Sequence, residues 1–461
     1  MLSEPTDWIG GQLTSQAVPP DEHPWIETHG CTASYRALRD GIRAHYRERF
    51  PLTDAARAVA HLNPGACFVS RLGHEPRAAL AVLEAMLPRS VDLRLEHAPV
   101  AAEAEGDRVA AVTLRGGGED TVVVADWYLD ATECGDLLPL CGAEHATGFE
   151  ATGEPHAPAE DQPRNLQPVS VCFAVEHLAG EDHTIPRPAR YDELARRFSW
   201  LAPDPRTNRP VERRLVPNPE EDPLAIGPDF DDPDLDKDLW RFRRIAARGL
   251  FRPGAYRSDI TLVNWPQIDY PDEVVLDGRA AGARELSLSF LHWMQTEGGF
   301  PGLRLRGDVA GDTPDGLAKH AYIREARRLR AVTTVVEQHL TDGPARFPDS
   351  VGVGAYRIDL HPSTGGDPYI DLASHPFEIP LGALVPRRVE NLLGAGKAIG
   401  TTHITNGAYR LHPVEWNVGE AAGHVVAHCS ARRSTPRALL AAPEELQREL
   451  AAAGVELHWP A

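Results

Sequence analysis

The stretch that most constrains this chain is Asn391–Gly423, close to its C-terminus. An apolar strand end there leads into a turn that contains Gly394, Gly396 and Gly400. A polar loop follows, and the pattern then predicts a helix that begins near Val418. Glycines at a strand-to-helix junction let the backbone approach a ligand closely, and a helix N-terminus favours negative charge. The stretch predicts a cofactor-binding turn, although glycines that only turn the chain would leave the same pattern.

Two segments in the first third of the chain also combine an acidic residue with glycines. Near the N-terminus, Glu4 precedes the glycine pair Gly10–Gly11, a spacing that is a weak pattern by itself. Farther on, the predicted strand Thr121–Asp130 leads into Ala131–Leu140, with the sequence ATECGDLLPL. Asp130 at the end of that strand would serve equally well as a simple turn former.

In this order, the three segments resemble FAD-dependent oxidoreductases of the glutathione-reductase-like kind. In that family the acidic residue at the second strand end accepts hydrogen bonds from the adenosine ribose, and the glycine pair passes close to the diphosphate. The closing strand passes the ribityl and pyrophosphate groups, and the helix after it faces the pyrimidine end of the isoalloxazine. The resemblance implies FAD as the cofactor, bound by Glu4, Gly10, Gly11, Gln12, Val100, Ala131, Thr132, Gly396, Lys397, Gly419, Glu420 and Ala421.

The resemblance places Glu4 at the end of the second strand of the dinucleotide-binding unit, so the G-x-G-x-x-G turn would lie upstream of it. A complete unit of this kind takes roughly 30 residues, and three residues precede Glu4. Two explanations stay open: a start assigned too far downstream, or a truncated relative with impaired cofactor binding. We favour the first, because loss of a central strand would leave backbone groups of a buried sheet unpaired.

The resemblance also implies an α/β fold. An FAD-binding, Rossmann-like domain is expected to form from both chain ends, with an α+β substrate domain inserted between them. The expected bounds are 1–141 for the first part of the FAD-binding domain, 142–378 for the substrate domain, 379–434 for the closing segment and 435–461 for a C-terminal helical tail.

Local patterns add individual elements to this arrangement. Periodicity and composition predict helices over Tyr35–Phe50 and Pro76–Leu87, and alternation predicts successive strands within Val91–Asp130. The segment Tyr322–Leu329 resembles a family helix whose arginines would join the domains by ion pairs or contact an anionic substrate, the structural role being favoured. Pro436–Trp459 is expected to end the chain as a helix and a short strand.

The predicted loop Thr401–His412 holds the candidate catalytic residues. In flavin enzymes the protein supplies binding, orientation and an acid or base, while the cofactor carries the redox chemistry. A neutral histidine can exchange a proton with the substrate, and an arginine can hold a carboxylate or carbonyl oxygen. We therefore choose His403 and Arg410, although both would also suit a tight loop in which they satisfy backbone groups. His424 and His428 lack a second pair of ligands, so no metal is assigned.

Composition limits the partners and the compartment. The net charge of −20 works against binding to nucleic acid or to an anionic membrane. Neither an apolar run long enough to span a bilayer nor a secretory leader is present, so no membrane contact is expected. The six cysteines form no CxxC pair, which favours reduced thiols in a cytoplasmic protein. The acidic run Asp229–Asp238 is expected to form a solvated loop.

These observations predict an FAD-dependent oxidoreductase that transfers hydride between a small organic substrate and flavin N5. The alternative is a truncated, cofactor-free protein of flavoprotein-like fold that acts as a scaffold or partner. A flavin-dependent reaction without net redox change, such as a lyase step, also stays open. The substrate, the electron acceptor and the oligomeric state are not defined by the sequence.

Overall fold

The structure, a computed structural model, describes residues 1–197, 215–225, 238–272, 276 and 280–460. All but the last residue of the predicted charged loop Asp229–Asp238 lies outside these residues. In the described part, the helices are α1 (Ala33–Arg49), α2 (Asp54–Ala58), α3 (Pro76–Met86), α4 (Leu137–Leu140), α5 (Tyr191–Arg197), α6 (Leu239–Phe242), α7 (Ala281–Gln295), α8 (Gly307–Ala310), α9 (Gln338–Thr341), α10 (His403–Tyr409), α11 (His412–Arg432), α12 (Pro436–Leu439) and α13 (Glu444–Ala452). The strands are β1 (Leu2–Glu4), β2 (Leu93–Leu95), β3 (Ala98–Glu105), β4 (Arg108–Gly116), β5 (Glu119–Val123), β6 (Tyr128–Asp130), β7 (His145–Ala146), β8 (Phe173–His177), β9 (Arg244–Ala246), β10 (Ile260–Val263), β11 (Leu303–Leu305), β12 (Arg328–Leu329), β13 (Ser350–Gly354), β14 (Ile358–Leu360), β15 (Ile370–Leu372), β16 (Phe377–Pro380) and β17 (Leu392–Gly394).

Two pairs of parallel strands join distant parts of the chain. Strand β1 pairs with β2, with Glu4 opposite Leu95, and β17 pairs with β6, with Gly394 opposite Asp130. In each pair, the two strands run in the same direction and end at the same edge. Ligands of open α/β sheets bind outside the carboxyl ends of the strands. The antiparallel meander β3, β4 and β5 lies between β2 and β6 in the sequence, where the pattern predicted successive strands. The predicted strand Thr121–Asp130 is wrong as a single strand, because the chain divides it into β5 and β6.

The middle of the chain contributes a four-stranded antiparallel sheet in the order β11-β8-β10-β9. Its apolar side chains, among them Phe173 and Val263, are buried together with Trp265 and with Phe290 of α7. The mixture of helices and sheets fits the predicted α/β class. The domain bounds remain predictions.

The two helices predicted near the N-terminus form close to their expected bounds, as α1 and α3. Leu38, Ile42 and Tyr46 line the buried face of α1, in agreement with the periodicity. Arg39, on the face expected to be exposed, is buried as well. Glu22 compensates its charge, with 2.8 Å between Nε and the carboxylate. The periodicity located the helix, but it did not predict that Arg39 is buried and paired with Glu22.

The predicted helix over Tyr322–Leu329 is wrong. This segment has no helix, and its last two residues form β12, which pairs with β7. Tertiary ion pairs oppose the local helical preference: Arg324 contacts Asp269 at 2.8 Å. In the same segment, Arg327 contacts Asp136 at 3.1 Å. These arginines have the structural, ion-pairing role that the sequence favoured.

The predicted polar loop Thr401–His412 is also wrong, because most of it is the helix α10. Thr402 caps this helix through a reciprocal hydrogen-bonded pair with the side chain three residues later. The next helix, α11, begins at His412 rather than near Val418, since a proline is tolerated in its first turn. Three predicted cofactor contacts therefore lie inside this helix and not at its start: Gly419, Glu420 and Ala421.

Beyond α13 the described chain forms no strand, although the pattern predicted one. Trp459 anchors this segment, because its indole N–H donates to the carbonyl oxygens of Gly354 and Phe377. In the described part of the chain, no helix is long and apolar enough to cross a lipid bilayer.

Candidate cofactor and substrate site

The loops that follow β1, β6 and β17 converge. A Cβ atom added to Gly11, after β1, would lie 3.0 Å from Oε1 of Glu133, after β6. One added to Gly396, after β17, would lie 3.4 Å from Oε2 of Glu415, in the first turn of α11. We call the residues that meet here the cofactor cluster: Glu4, Gly11, Gln12, Glu133, Gly396, Lys397 and Glu415.

The carboxyl groups of the cofactor cluster share one lysine. Lys397 contacts Glu133 directly, and its Nζ lies 3.8 Å from Oε1 of Glu415. Burial opposes ionisation of Glu133, but the charge of Lys397 outweighs burial and lowers the pKa. Burial dominates at the other two, and it raises the pKa of Glu415 to about 7 and that of Glu4 to about 7. A ligand that presents hydroxyl groups would supply the donors that these carboxyl groups lack.

The turn after β1 requires glycine. Gly10 has a φ of +110° and Gly11 a φ of +50°, in the left-handed region that other residues adopt only under strain. A Cβ atom on Gly10 would also lie 2.5 Å from Cδ1 of Leu83, on α3. The glycine pair therefore allows both the turn and the close packing behind it.

Other predicted contacts lie in the same loops. Ala131 and Thr132 follow β6 directly, next to Glu133. The backbone N–H and the hydroxyl of Thr132 donate to Oδ1 of Asp130 at 3.0 and 2.7 Å. Asp130 is thus a turn former, one of the two alternatives that the sequence left open.

The remaining predicted contacts lie farther from the cofactor cluster. Val100 is in β3 of the meander and not in the converging loops. The Glu420 carboxylate accepts a hydrogen bond from Oγ of Ser34 on α1 at 2.5 Å, and Ala421 is part of an apolar core. Gly419 allows a close approach, since a Cβ atom there would lie 3.2 Å from a carbonyl oxygen just after β17.

Sequence reasoning missed the acidic partners of Lys397. Glu133 directly follows two predicted contacts, Ala131 and Thr132, and that adjacency was a usable signal. Glu415 was harder to assign because the predicted helix start lay after it, whereas α11 places it in the first helical turn.

The two predicted catalytic residues lie at opposite ends of α10. His403 is its first residue, and Arg410 directly follows its last residue, Tyr409. Gly407 lets β14 approach the helix between them, because a Cβ atom on it would lie 3.0 Å from the backbone nitrogen of Asp359.

His403 is held by a carboxylate and an aromatic ring. Its Nδ1 lies 3.3 Å from Oε2 of Glu150, and its ring stacks on Phe149 with 4.0 Å between centroids. Burial opposes ionisation of Glu150, but Arg328 and then His403 outweigh it and lower the pKa to about 2. An ionised carboxylate only accepts hydrogen bonds, so neutral His403 carries its proton on Nδ1. Its Nε2 is buried and has no hydrogen-bond partner among the described residues.

Arg410 connects the cofactor cluster to a second group of polar side chains. Its guanidinium donates to the Tyr322 hydroxyl at 3.1 Å and to Oδ2 of Asp359 at 2.9 Å. Its backbone carbonyl accepts a hydrogen bond from Nε2 of Gln12 at 3.1 Å. The same Gln12 nitrogen donates to Oε1 of Glu415 at 2.6 Å. The cofactor cluster and the surroundings of Arg410 are therefore adjacent.

This second group contains another arginine–carboxylate pair. Arg243 donates to both oxygens of Asp21, at 2.7 and 3.2 Å, and the backbone N–H of Asp21 donates to Nδ1 of His412 at 3.1 Å. Tyr356 is close enough for the charges of Asp21, Asp359, Arg243 and Arg410 to act on its hydroxyl. We call this group the arginine cluster: Asp21, Arg243, Tyr322, Tyr356, Asp359, Arg410 and His412.

Parallel strands that converge on a glycine turn, an acidic strand end and a helix start define a dinucleotide-binding α/β protein. The sequence model of the FAD dependent oxidoreductase family matches residues 1–450. The chain belongs to this family, so its cofactor is FAD and its activity is flavin-based redox chemistry. No curated protein and no solved structure matches the chain significantly.

The cofactor cluster fits the hydroxyl-rich parts of FAD. Oε1 of Glu4 accepts hydrogen bonds from the N–H and the hydroxyl of Thr6, whereas Oε2 accepts none from the described residues. Oε1 of Gln12 is buried and also has no partner in the described part of the chain. Both are acceptors that ribose or ribityl hydroxyls would satisfy.

Proposed function

We propose that the chain binds FAD at the cofactor cluster and oxidises or reduces a small organic substrate by hydride transfer involving flavin N5. The observation that carries this proposal is the Gln12 side chain, which bonds to both Glu415 and Arg410. This contact supports the proposal because Gln12 joins the backbone carbonyl of Arg410 to the Glu415 carboxylate of the cofactor cluster. In this proposal, 1–141 and 379–434 form the FAD-binding domain, 142–378 the substrate domain and 435–461 the tail.

The cofactor cluster has three tasks in this proposal. Glu4 accepts the ribose hydroxyls, and the glycine pair Gly10–Gly11 gives the cofactor backbone room. Lys397 provides positive charge, and it is held in place by Glu133 and Glu415. Gly396 and Gly419 bring the backbone of the closing segment close to the flavin, as the family resemblance implies.

His403 and Arg410 are the proposed catalytic residues. When bound, FAD takes up or releases the hydride. Nε2 of His403, the unprotonated ring nitrogen of the neutral side chain, accepts the proton of the substrate. Arg410 donates a hydrogen bond to the substrate oxygen from its buried Nε, which has no partner among the described residues.

The first test is a titration of FAD with the folded chain, followed by absorbance and flavin fluorescence. The proposal predicts saturable binding with a change in both signals. His403→Gln should keep FAD affinity and slow flavin bleaching by substrate at least tenfold, whereas His375→Gln, at an exposed histidine, should leave both unchanged. Failure of a folded chain to bind FAD would refute the proposal.

A further inference from the structure

We propose that the arginine cluster binds an uncharged molecule rich in hydroxyl groups, and that the reaction oxidises one of its secondary alcohols. This inference rests on the proposed function, because it uses the same FAD and the same His403. It goes further by assigning a chemical class to the substrate. Two independent observations support this inference. The first is the charge balance of the arginine cluster, and the second is the set of hydrogen-bond donors and acceptors there that have no partner.

The first step is charge balance. Arg243 is neutralised by Asp21 through two hydrogen bonds, and Arg410 is neutralised by Asp359. All four side chains are largely buried. An arginine that recognises an anionic substrate needs charge that no protein carboxylate has already taken. A substrate carboxylate at this site would meet Asp21 and Asp359, and repulsion between like charges is strong where water is excluded.

The charges next to the cluster are balanced as well. Arg324 pairs with Asp269 at 2.8 Å, and His361 also contacts Asp269. Burial raises the pKa of Tyr322 and that of Tyr356, so both phenols stay protonated and uncharged. Within the part of the chain that the structure describes, these neighbouring groups therefore add no free positive charge to attract an anion.

The second step is the mixture of unused donors and acceptors. Nδ1 of His412 accepts the N–H of Asp21, so the proton of the neutral ring lies on Nε2, which is buried and has no partner in the described residues. Burial lowers the pKa of His412 to about 4, while the nearby Val18 carbonyl opposes this shift. The ring is neutral near pH 7 and offers a hydrogen-bond donor.

His74 offers the opposite group. Its Nδ1 lies 3.0 Å from the Glu75 carbonyl oxygen, which can only accept, so Nδ1 carries the proton and Nε2 has a lone pair. That Nε2 is buried and unpartnered within the described part of the chain. His74 is close enough for its charge to act on the pKa of His412.

A hydroxyl group suits this arrangement because it donates and accepts at once. A carboxylate or a phosphate only accepts, and would leave the lone pair of His74 facing a second acceptor. Buried polar groups left without partners destabilise a complex, which disfavours such ligands. Neighbouring hydroxyls on one molecule would satisfy His74 and His412 together.

The atoms and electrons of the proposed oxidation balance with the substrate alcohol, FAD and His403. The substrate C–H bond breaks and its electron pair leaves as hydride to the flavin, while the O–H proton passes to Nε2 of His403. The secondary alcohol becomes a ketone, and FAD is reduced by two electrons. Under anaerobic conditions one turnover requires no further electron acceptor.

The test compares neutral and anionic probes of similar size on the FAD-loaded chain. The neutral probes are myo-inositol, D-glucose and D-sorbitol, and the anionic ones are D-gluconate, L-lactate and L-malate. Calorimetric binding is measured up to the solubility of each probe, and flavin absorbance is followed without oxygen. We expect at least one neutral probe to bind at least tenfold more tightly than any anionic one and to bleach the flavin. Preferential binding of the anions, or binding of neither class, overturns the inference.

Two variants test the charge argument separately. Asp359→Asn frees the charge of Arg410 and should improve gluconate binding at least tenfold relative to glucose. Asp371→Asn is the matched control, since Asp371 pairs with exposed Arg357, the residue just before β14, and should change the binding of neither probe. An unchanged preference in Asp359→Asn contradicts the inference.

Two outcomes in the wild type distinguish the inference from the proposed function. If FAD binds and only anions bleach the flavin, the proposed function stands and the substrate class fails. If the folded wild type does not bind FAD, the proposed function is refuted.

Discussion

The cofactor cluster and the arginine cluster are adjacent and both are largely buried, yet they handle charge in opposite ways. In the cofactor cluster one cation, Lys397, contacts both Glu133 and Glu415. In the arginine cluster each cation has its own carboxylate. Burial raises the pKa values of Glu4 and Glu415 in the first cluster, whereas the second keeps its charges paired.

This difference separates a site whose carboxyl groups gain from a bound ligand from one whose charges the protein already pairs. Carboxyl groups without donors gain most when hydroxyl groups bind to them. Paired arginines and neutral histidines are instead held in place before any ligand binds, which lowers the cost of ordering them. The comparison predicts that mutations in the arginine cluster mainly lower stability, whereas those in the cofactor cluster mainly lower FAD affinity.

The largest effect is expected for Arg243→Ala. It leaves Asp21 as a buried, uncompensated carboxylate, and breaking a buried ion pair costs about 3–5 kcal/mol of unfolding free energy. Urea denaturation measures the loss. Arg115→Ala removes an exposed pair with Asp120 and should have little effect. Equal losses in the two variants would remove the contrast between buried and exposed pairs.

A second effect concerns acid sensitivity. Burial lowers the pKa of His74 to about 4 from an ordinary value of 6.5. Between these values the unfolded chain binds the proton and the folded chain does not, so this group's stabilisation is present above pH 6.5 and is lost as the pH falls towards 4. In His74→Asn this loss is absent. The stability difference between wild type and variant should therefore shrink by roughly 2 kcal/mol from pH 7 to pH 5, and a constant difference would contradict the neutral, buried histidine.

A third prediction uses two glycines with similar backbone angles. Gly11 has a φ of +50° beside Glu133, and Gly106 has a φ of +61° with no atom within 4 Å of an added Cβ. Replacement by alanine should cost both variants about 1–2 kcal/mol of unfolding free energy through backbone strain. Only Gly11→Ala should also weaken FAD binding, by at least tenfold, as measured by fluorescence titration. Equal FAD affinity in both variants would place the cofactor away from this loop.

The smallest effect is expected for Glu4. With its pKa raised to about 7, Glu4 changes from mostly protonated to mostly ionised between pH 6 and pH 8. Its ionised form accepts ribose hydroxyls better, so FAD affinity should rise over this range by up to about tenfold. Glu4→Gln should flatten this rise, and Glu103→Gln, at an exposed position in β3, should not. An equally steep rise in Glu4→Gln would assign the pH dependence to another group.

Local sequence patterns predicted the elements whose interactions are local. The periodicity of Leu38, Ile42 and Tyr46 located α1, and the alternating residues of the meander located its strands, because side-chain spacing sets the face that each residue occupies. The glycine and acidic segments predicted the converging loops. The family match agrees with that prediction of FAD.

Patterns failed where partners distant in the sequence decide the local conformation. The segment Tyr322–Leu329 has the residues of a helix but is extended, and its arginines pair with acids elsewhere in the chain. The loop Thr401–His412 became a helix because Thr402 caps it and the surrounding core buries it. The polar residues of this segment favoured a loop when only the sequence was considered.

The sequence by itself determined the cofactor and the α/β class, because glycine turns and strand-end acids are local requirements of the backbone. Only the tertiary structure decided which charges meet. Asp21 and Arg243 are 222 residues apart, and Gln12 and Arg410 are 398 apart. Neutralisation depends on distances of a few ångströms and on exclusion of water. Neither is encoded in the spacing of residues along the chain.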